Sequence, residues 1–112
     1  MTKDVNFQTL RRANILRQDE WDGDKKIDAA YRAMELGGEV GEALNVVKKL
    51  VREERGIAGS RASLNDLGEE LADVIICVDL LAYHYGINLA DAVKTKFNKT
   101  SEKVGLETRI GE

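Results

Sequence analysis

The chain has 112 residues and a net charge of −3, from 17 basic and 20 acidic residues, which predicts one domain without the positive field that attracts nucleic-acid polymers. Cys77 is its one cysteine, which excludes an internal disulfide and favours a reducing compartment. No apolar run approaches the ~20 residues that span a bilayer, and the first residues lack the apolar core of a secretory signal. We therefore expect a cytoplasmic protein that spans no membrane.

The absence of proline and the 33% of charged residues favour an all-α fold, because the usual breakers of helices are missing. The first predicted helix covers about residues 4–18, with Phe7 and Leu10 spaced for one face. A break follows around residues 22–24, and Trp21 lies at the edge of that break.

The second predicted helix covers about residues 27–54. Gly37, Gly38 and Gly41 weaken it, since a glycine inside a helix costs up to ~1 kcal/mol relative to alanine. Such a cluster indicates close approach by another helix or a ligand, with a local kink as the alternative. Gly56 then opens a loop and is well placed to end the helix.

The third predicted helix has the clearest periodicity in the chain. Apolar residues follow one another at intervals of three and four: Leu64, Leu67, Leu71, Val74, Val78, Leu81 and Tyr85. Gly86 stops this helix, and Asn88 can cap a fourth helix that runs to about Thr100. The polar residues 101–112 are predicted to form a loose tail or to lie over a partner.

Two pairs of carboxylates stand at helical spacing, Glu39 with Glu42 and Glu70 with Asp73. Like charges three residues apart repel each other on a helix, whereas a bound cation would stabilise them. Gly56 lies midway between the pairs, so a hairpin folded there sets all four at one height. The pattern predicts a divalent-cation site, with two solvated helix faces as the alternative.

The sequence around these pairs resembles the MazG-like nucleoside triphosphate pyrophosphohydrolases of the all-α NTP pyrophosphatase superfamily. Glu39-Val-Gly-Glu42-Ala-Leu reads like the first family motif, Glu70-Leu-Ala-Asp73-Val-Ile-Ile reads like the second, and the similarity covers about residues 14–100. The resemblance implies hydrolysis of (deoxy)nucleoside triphosphates to the monophosphate and pyrophosphate, in nucleotide-pool housekeeping. It also implies that these four carboxylates hold Mg²⁺, with Mn²⁺ as the alternative.

The resemblance further implies roles for residues outside the acidic pairs. Trp21 would stack on the base, with packing in the core or a dimer as the alternative. Lys96 would contact phosphates unless it is simply solvated, and Asn98 would contact the substrate near it. Glu39 would orient or deprotonate the attacking water. Gly38 departs from the family pattern, since many relatives carry a further glutamate there, and another group is the alternative base.

The predicted fold is all-α, an antiparallel helical hairpin with flanking helices in one MazG-like domain over residues 1–112. The first and fourth helices have too little apolar surface to cover the hairpin, so we expect a homodimer that completes a four-helix bundle, or a homotetramer. A carboxylate-bridged di-iron bundle is disfavoured, since neither acidic pair includes the histidine of its Glu-x-x-His motif. A noncatalytic helical metal-binding or interaction module is the remaining alternative.

Overall fold

The computed structural model describes residues 4–111, which form four α-helices and no β-strand. The helices are α1 (Phe7–Trp21), α2 (Ala29–Glu54), α3 (Leu64–His84) and α4 (Leu89–Val104). The all-α prediction is confirmed. Within the same residues, no helix is long and apolar enough to cross a membrane.

Side-chain caps explain where α1 and α3 begin. Asn6 accepts a hydrogen bond from the backbone N–H of Thr9, whose hydroxyl accepts one from the N–H of Asn6. Ser63 and Asp66 form the same reciprocal capping box at α3. Because such caps satisfy N–H groups that have no partner inside the helix, α1 begins at Phe7, three residues after its predicted start.

The end of α1 differs from the prediction in a way that matters for the site. The helix continues to Trp21, three residues beyond the predicted end, so this tryptophan lies in the last turn of α1 and borders the break. Asp22 then accepts hydrogen bonds from the backbone N–H groups of Ile27 and Lys26. These two bonds hold the pKa of the Asp22 carboxyl below its usual range and fix the turn that leads into α2.

The helices α2 and α3 form the predicted hairpin. Facing pairs along it are Glu35 with Cys77, Glu39 with Asp73, and Lys49 with Asp66. In these pairs the residue number on α2 increases while the residue number on α3 decreases, so the two helices run antiparallel. Gly56, in the connection, has a positive φ of 66°, a conformation that glycine adopts without a steric penalty. Buried side chains of the hairpin include Ala43, Val46 and Leu80.

A buried polar network fastens α1 to α3. Asp79 is 1% exposed, and its two oxygens accept hydrogen bonds from Arg11 Nε at 3.0 and 3.2 Å. Asn14 Nδ2 donates to Asp79 Oδ2 at 3.0 Å, and Arg11 Nη2 donates to the carbonyl of Ile87 at 2.9 Å. The position of α1 therefore depends on hydrogen bonds and an ion pair as well as on apolar packing.

The segment after residue 100 is more ordered than the sequence predicted. Helix α4 continues to Val104, and Gly105 caps its C-terminus with a φ of 74°. Asn98 donates to the carbonyl of Ile110 at 3.0 Å and accepts from its N–H at 2.8 Å. Residues 101–104 thus belong to α4, and Asn98 holds the backbone of Ile110 against that helix; residue 112 lies outside the described residues.

Candidate metal and nucleotide site

Three of the four predicted carboxylates converge across the hairpin. Glu39, Glu70 and Asp73 each offer an oxygen within 4.8 Å of the other two. Glu42 lies close enough to Glu39 and Glu70 for its negative charge to contribute to the raised pKa of both carboxyls. The shared height predicted from the midpoint at Gly56 is therefore found in the structure.

The electrostatics of this carboxylate cluster are unfavourable without a cation. Glu39 Oε2 and Glu70 Oε2 are buried and have no hydrogen-bond partner among residues 4–111. Burial raises the pKa of both carboxyls, and repulsion from Glu42 and the remaining acids raises it further. Buried oxygens without partners are costly, whereas a hard divalent cation prefers clustered carboxylate ligands. The donor set fits such an ion.

A cavity of about 240 Å³ opens beside the carboxylate cluster, between α1 and the hairpin. It includes Glu39 and Asp73 of the cluster and has Trp21 on its wall. The indole is 80% exposed, so its ring is accessible for contact with a ligand. The complete lining is Asn14, Arg17, Gln18, Trp21, Arg32, Glu35, Glu39, Asp73, Cys77 and Leu80. The structure thus brings Trp21 to the same cavity as two of the predicted metal ligands.

A second polar network lines this cavity. Arg32 is 6% exposed; its Nη1 donates to Glu35 Oε1 at 2.9 Å and its Nη2 to Gln18 Oε1 at 3.2 Å. His84 Nε2 lies 3.0 Å from the same Gln18 oxygen. Arg32 Nε is buried and has no acceptor among the described residues. These groups bind one another and leave one donor unused.

Sequence reasoning missed Arg32, Gln18 and Asn14 as lining residues. A signal for Arg32 was present, because Arg32, Glu35 and Glu39 are spaced by three and four and so share a face of α2. For Asn14 and Gln18 the spacing of four on α1 was visible, but polar residues at that spacing usually face solvent.

Two of the predicted substrate residues lie elsewhere. Lys96 is exposed on α4 and does not line the cavity of its own chain. Both polar groups of the Asn98 amide are taken up by Ile110. Gly38 has open space around it, since a Cβ placed there meets no atom within 4 Å in the described chain. Gly37 and Gly41 have the same open space. The close approach that the three glycines indicate is therefore not made by any part of the described chain.

Comparison with known proteins decides the family. Residues 31–104, more than half of the chain, match the model of the MazG nucleotide pyrophosphohydrolase domain. The chain belongs to the MazG family. The matched MazG segment contains all four carboxylates of the cluster and begins after α1, so the helix that carries Trp21 and Asn14 lies outside it.

The chain is also similar to a curated phage protein. The chain is 34% identical over 74 residues to the Gene 37 protein of Mycobacterium phage L5. The match covers 66% of this chain and 64% of the relative, so the chain spans less than two thirds of that protein's length. The MazG assignment therefore concerns this domain, and the name of the phage protein specifies no activity.

Proposed function

We propose that the chain hydrolyses (deoxy)nucleoside triphosphates between the α and β phosphates, releasing the monophosphate and pyrophosphate in the cytoplasm as nucleotide-pool housekeeping. The observation that carries the proposal is the carboxylate cluster with two buried, unpartnered oxygens, opening into a cavity with an accessible indole. Membership of the MazG family supports the same reaction class.

Each part of the site has a role in this proposal. Glu39, Glu42, Glu70 and Asp73 would hold Mg²⁺, or Mn²⁺ in its place. When bound, the cation supplies neutralisation of charge on the phosphate oxygens and lowers the pKa of a water molecule. Glu39 faces both the carboxylate cluster and the cavity, a position that suits a residue that orients the water and accepts its proton.

The base and phosphates need contacts beyond the carboxylate cluster. Trp21 stacks on the base, because its accessible ring borders the cavity that reaches Glu39. Lys96 and Asn98, which do not line the cavity of their own chain, enter the proposal as contacts supplied by a second copy in a homodimer or homotetramer. Asn98 would do so after releasing Ile110.

The direct test is a substrate panel. Pyrophosphate release is measured on the eight common (deoxy)nucleoside triphosphates with Mg²⁺ or Mn²⁺, for the wild type, Glu39→Gln and Glu70→Gln. We expect release from at least one triphosphate and a loss of roughly 100-fold or more in both variants, since each removes a ligand of the cation. Glu69→Gln, an exposed neighbour on α3, is the matched control. Absence of release from every triphosphate contradicts the proposal.

A noncatalytic metal-binding or interaction module is the second candidate. The observation that favours it is the exposed apolar surface of the hairpin, which includes Leu44, Leu64 and Leu71 at 63%, 77% and 50% exposure. Under this alternative, Mg²⁺ would still raise the thermal stability, but no triphosphate would be hydrolysed. The substrate panel therefore separates the two candidates.

A further inference from the structure

The charged side chains that line the cavity of about 240 Å³ differ in whether a partner compensates their charge. Arg32 and Glu35 form an ion pair at 2.9 Å, and Glu39 and Asp73 belong to the carboxylate cluster. Arg17 is the remaining charged residue of the lining, and its guanidinium makes no hydrogen bond or ion pair with residues 4–111. Among these residues, the lining therefore contains one cation that is available to an anionic ligand.

The guanidinium of Arg17 lies beside the ring that we propose stacks on the base. Its Cζ is 5.9 Å from the ring centroid of Trp21, one turn further along α1. Arg17 is exposed, so a ligand in the cavity can reach its guanidinium. A cation–π contact at an exposed site changes an equilibrium constant by a factor of about 2 to 5, and a hydrogen bond to a charged group by about 10 to 150. Arg17 can therefore leave the ring for a phosphate.

The charge balance of the site shows why such a cation is needed. A single divalent cation cannot neutralise four carboxylates, so attraction of a polyanionic ligand requires a further positive charge. A compact cavity of this volume is about 8 Å across, which does not exceed the Debye length at physiological ionic strength. The charge of Arg17 therefore acts on a ligand anywhere in the cavity. Arg32 cannot replace it, because the charge of Arg32 is already compensated by Glu35.

The α-phosphate is the phosphate nearest the base in every nucleotide. A base stacked on Trp21 therefore brings this group, before the β or γ phosphate, within reach of Arg17. A guanidinium suits a phosphate because it can donate two parallel hydrogen bonds to it. We propose that Arg17 binds the α-phosphate of the nucleotide, the phosphate that stays with the monophosphate product. The proposal rests on the proposed function for the stacking of the base on Trp21.

Family membership assigns no role to Arg17. The segment that matches the MazG domain covers residues 31–104 and begins after α1, which carries both Arg17 and Trp21. The arginine is therefore a contact that this chain adds to the carboxylate cluster from outside the matched segment.

Binding of monophosphates tests the contact without hydrolysis. Trp21 is the one tryptophan of the chain, so its fluorescence follows titrations with AMP, GMP, CMP and UMP in the presence of Mg²⁺. For the monophosphate that binds the wild type most tightly, we expect Arg17→Gln to raise Kd roughly 10-fold or more. Arg12→Gln is the matched control, because it removes the same charge from an exposed site on α1 that does not line this cavity. Its Kd should stay within about twofold of the wild-type value.

Three outcomes of this titration would overturn the proposal. The first is a Kd that is unchanged in Arg17→Gln. The second is an equal loss in Arg12→Gln, which would show that only the net charge of the protein matters. The third is a wild type that binds none of the four monophosphates.

The corresponding nucleosides, which lack the phosphate, separate a phosphate contact from an effect on the ring. For adenosine, guanosine, cytidine and uridine, we expect Arg17→Gln to change Kd by no more than the factor of about 2 to 5 that the cation–π contact provides. Equal losses for a nucleoside and its monophosphate would show that Arg17 acts only by orienting the indole of Trp21. That result would overturn the phosphate contact.

The same variants distinguish this inference from the proposed function. Binding of a monophosphate that depends on Arg17, without pyrophosphate release from any triphosphate, would support the contact and contradict the proposed function. Pyrophosphate release from a triphosphate, with the Kd of its monophosphate unchanged in Arg17→Gln, would leave the proposed function intact and overturn the contact.

Discussion

At the scale of single residues, the site consists of a carboxylate cluster across the hairpin and a hydrogen-bond network in which Asn14 contacts Asp79. The meeting of Glu39, Glu70 and Asp73 could be predicted for two reasons. Acidic residues at a repulsive spacing indicate a bound cation, and a hairpin folded at Gly56 sets both acidic pairs at the same height. Asn14 and Asp79 could not be predicted as partners. Their contact spans 65 positions and depends on how α1 turns about its own axis, which periodicity alone does not specify.

The carboxylate cluster makes a prediction about pH and metal. Below their ordinary pKa of 4.5, Glu39 and Glu70 are protonated in both the folded and the unfolded chain and do not affect stability. As the pH rises through their raised pKa values, the unfolded chain loses these protons first, so the metal-free folded state loses stability. We therefore expect the thermal midpoint in EDTA to fall, as the pH rises above the ordinary pKa of 4.5, more steeply in the wild type than in Glu70→Gln.

Addition of Mg²⁺ should reverse this trend in the wild type. At a free concentration of 100 times its Kd, an ion that binds only the folded state adds about 2.7 kcal/mol. Glu70→Gln should be the more stable protein in EDTA at neutral pH and should gain less from Mg²⁺. Glu69→Gln, which leaves the cluster intact, should behave as the wild type does. A Mg²⁺ response that survives in Glu70→Gln would contradict the ligand assignment.

Trp21 supports a prediction about substrate affinity. Its side chain is 80% exposed, so Trp21→Ala should change the free energy of unfolding by no more than about 0.5 kcal/mol. Loss of base stacking, which contributes roughly 1–3 kcal/mol, should raise KM by about 5- to 150-fold. Steady-state kinetics on the best triphosphate measure this. Tyr85→Ala removes an aromatic ring of 68% exposure that does not line the cavity, and its KM should stay unchanged.

At the scale of helices, the elements were predictable and some of their ends were not. Residues spaced by three and four indicated all four helices, and the start of α4 after Asn88 was correct because a cap has a local signature. The ends of α1 and α4 were wrong by three or four residues. In both cases a side chain holds the backbone beyond the predicted end through a hydrogen bond. Asp22 holds the turn after α1, and Asn98 holds the tail after α4.

The docking of α1 gives the prediction at this scale. Arg11→Met leaves the carboxylate of Asp79 buried at 1% exposure without its cation. Breaking a buried ion pair from one side costs roughly 3–5 kcal/mol, so urea denaturation should show a loss in this range. Arg12→Met removes an exposed neighbour on the same helix and should cost less than about 0.5 kcal/mol. Equal stability of the two variants would show that α1 is held by other contacts.

At the scale of the whole molecule, a single chain leaves too much surface uncovered. Its accessible area is 8498 Å², against about 6,200 Å² for a folded monomer of this mass. The radius of gyration is 17.4 Å, against about 13 Å for a compact chain of this length. Association, which the sequence predicted from the small apolar faces of α1 and α4, would cover part of this area.

The exposed apolar residues of the hairpin mark where a second copy would pack. On α3 they are Leu64, Leu71 and Ile75, at 77%, 50% and 54% exposure, and Gly68 lies among them. On α2, Leu44 lies next to Gly41, where a neighbouring helix could approach closely. A second hairpin placed here would complete a four-helix core and would explain the glycines that have open space in one chain.

This interface can be broken without touching the carboxylate cluster. Ile75→Glu puts a charge into the proposed dimer core, so gel filtration should show a mass near 12.5 kDa where the wild type shows at least about twice that value. Val5→Glu, at an 85% exposed site before α1, should leave the wild-type mass unchanged. A wild type that elutes as a monomer at micromolar concentration would contradict the assembly.

Ile75→Glu also distinguishes the parts of the site that one chain supplies from those that require a second chain. Glu39, Glu70 and Asp73 meet within a single chain, so the dissociated Ile75→Glu protein should keep the stabilisation by Mg²⁺. Lys96 does not line the cavity of its own chain, so a contact from a second copy would be lost and kcat/KM should fall roughly 10-fold or more. If the monomeric variant retains full activity, the substrate site is complete in one chain, and Lys96 has no part in binding phosphates.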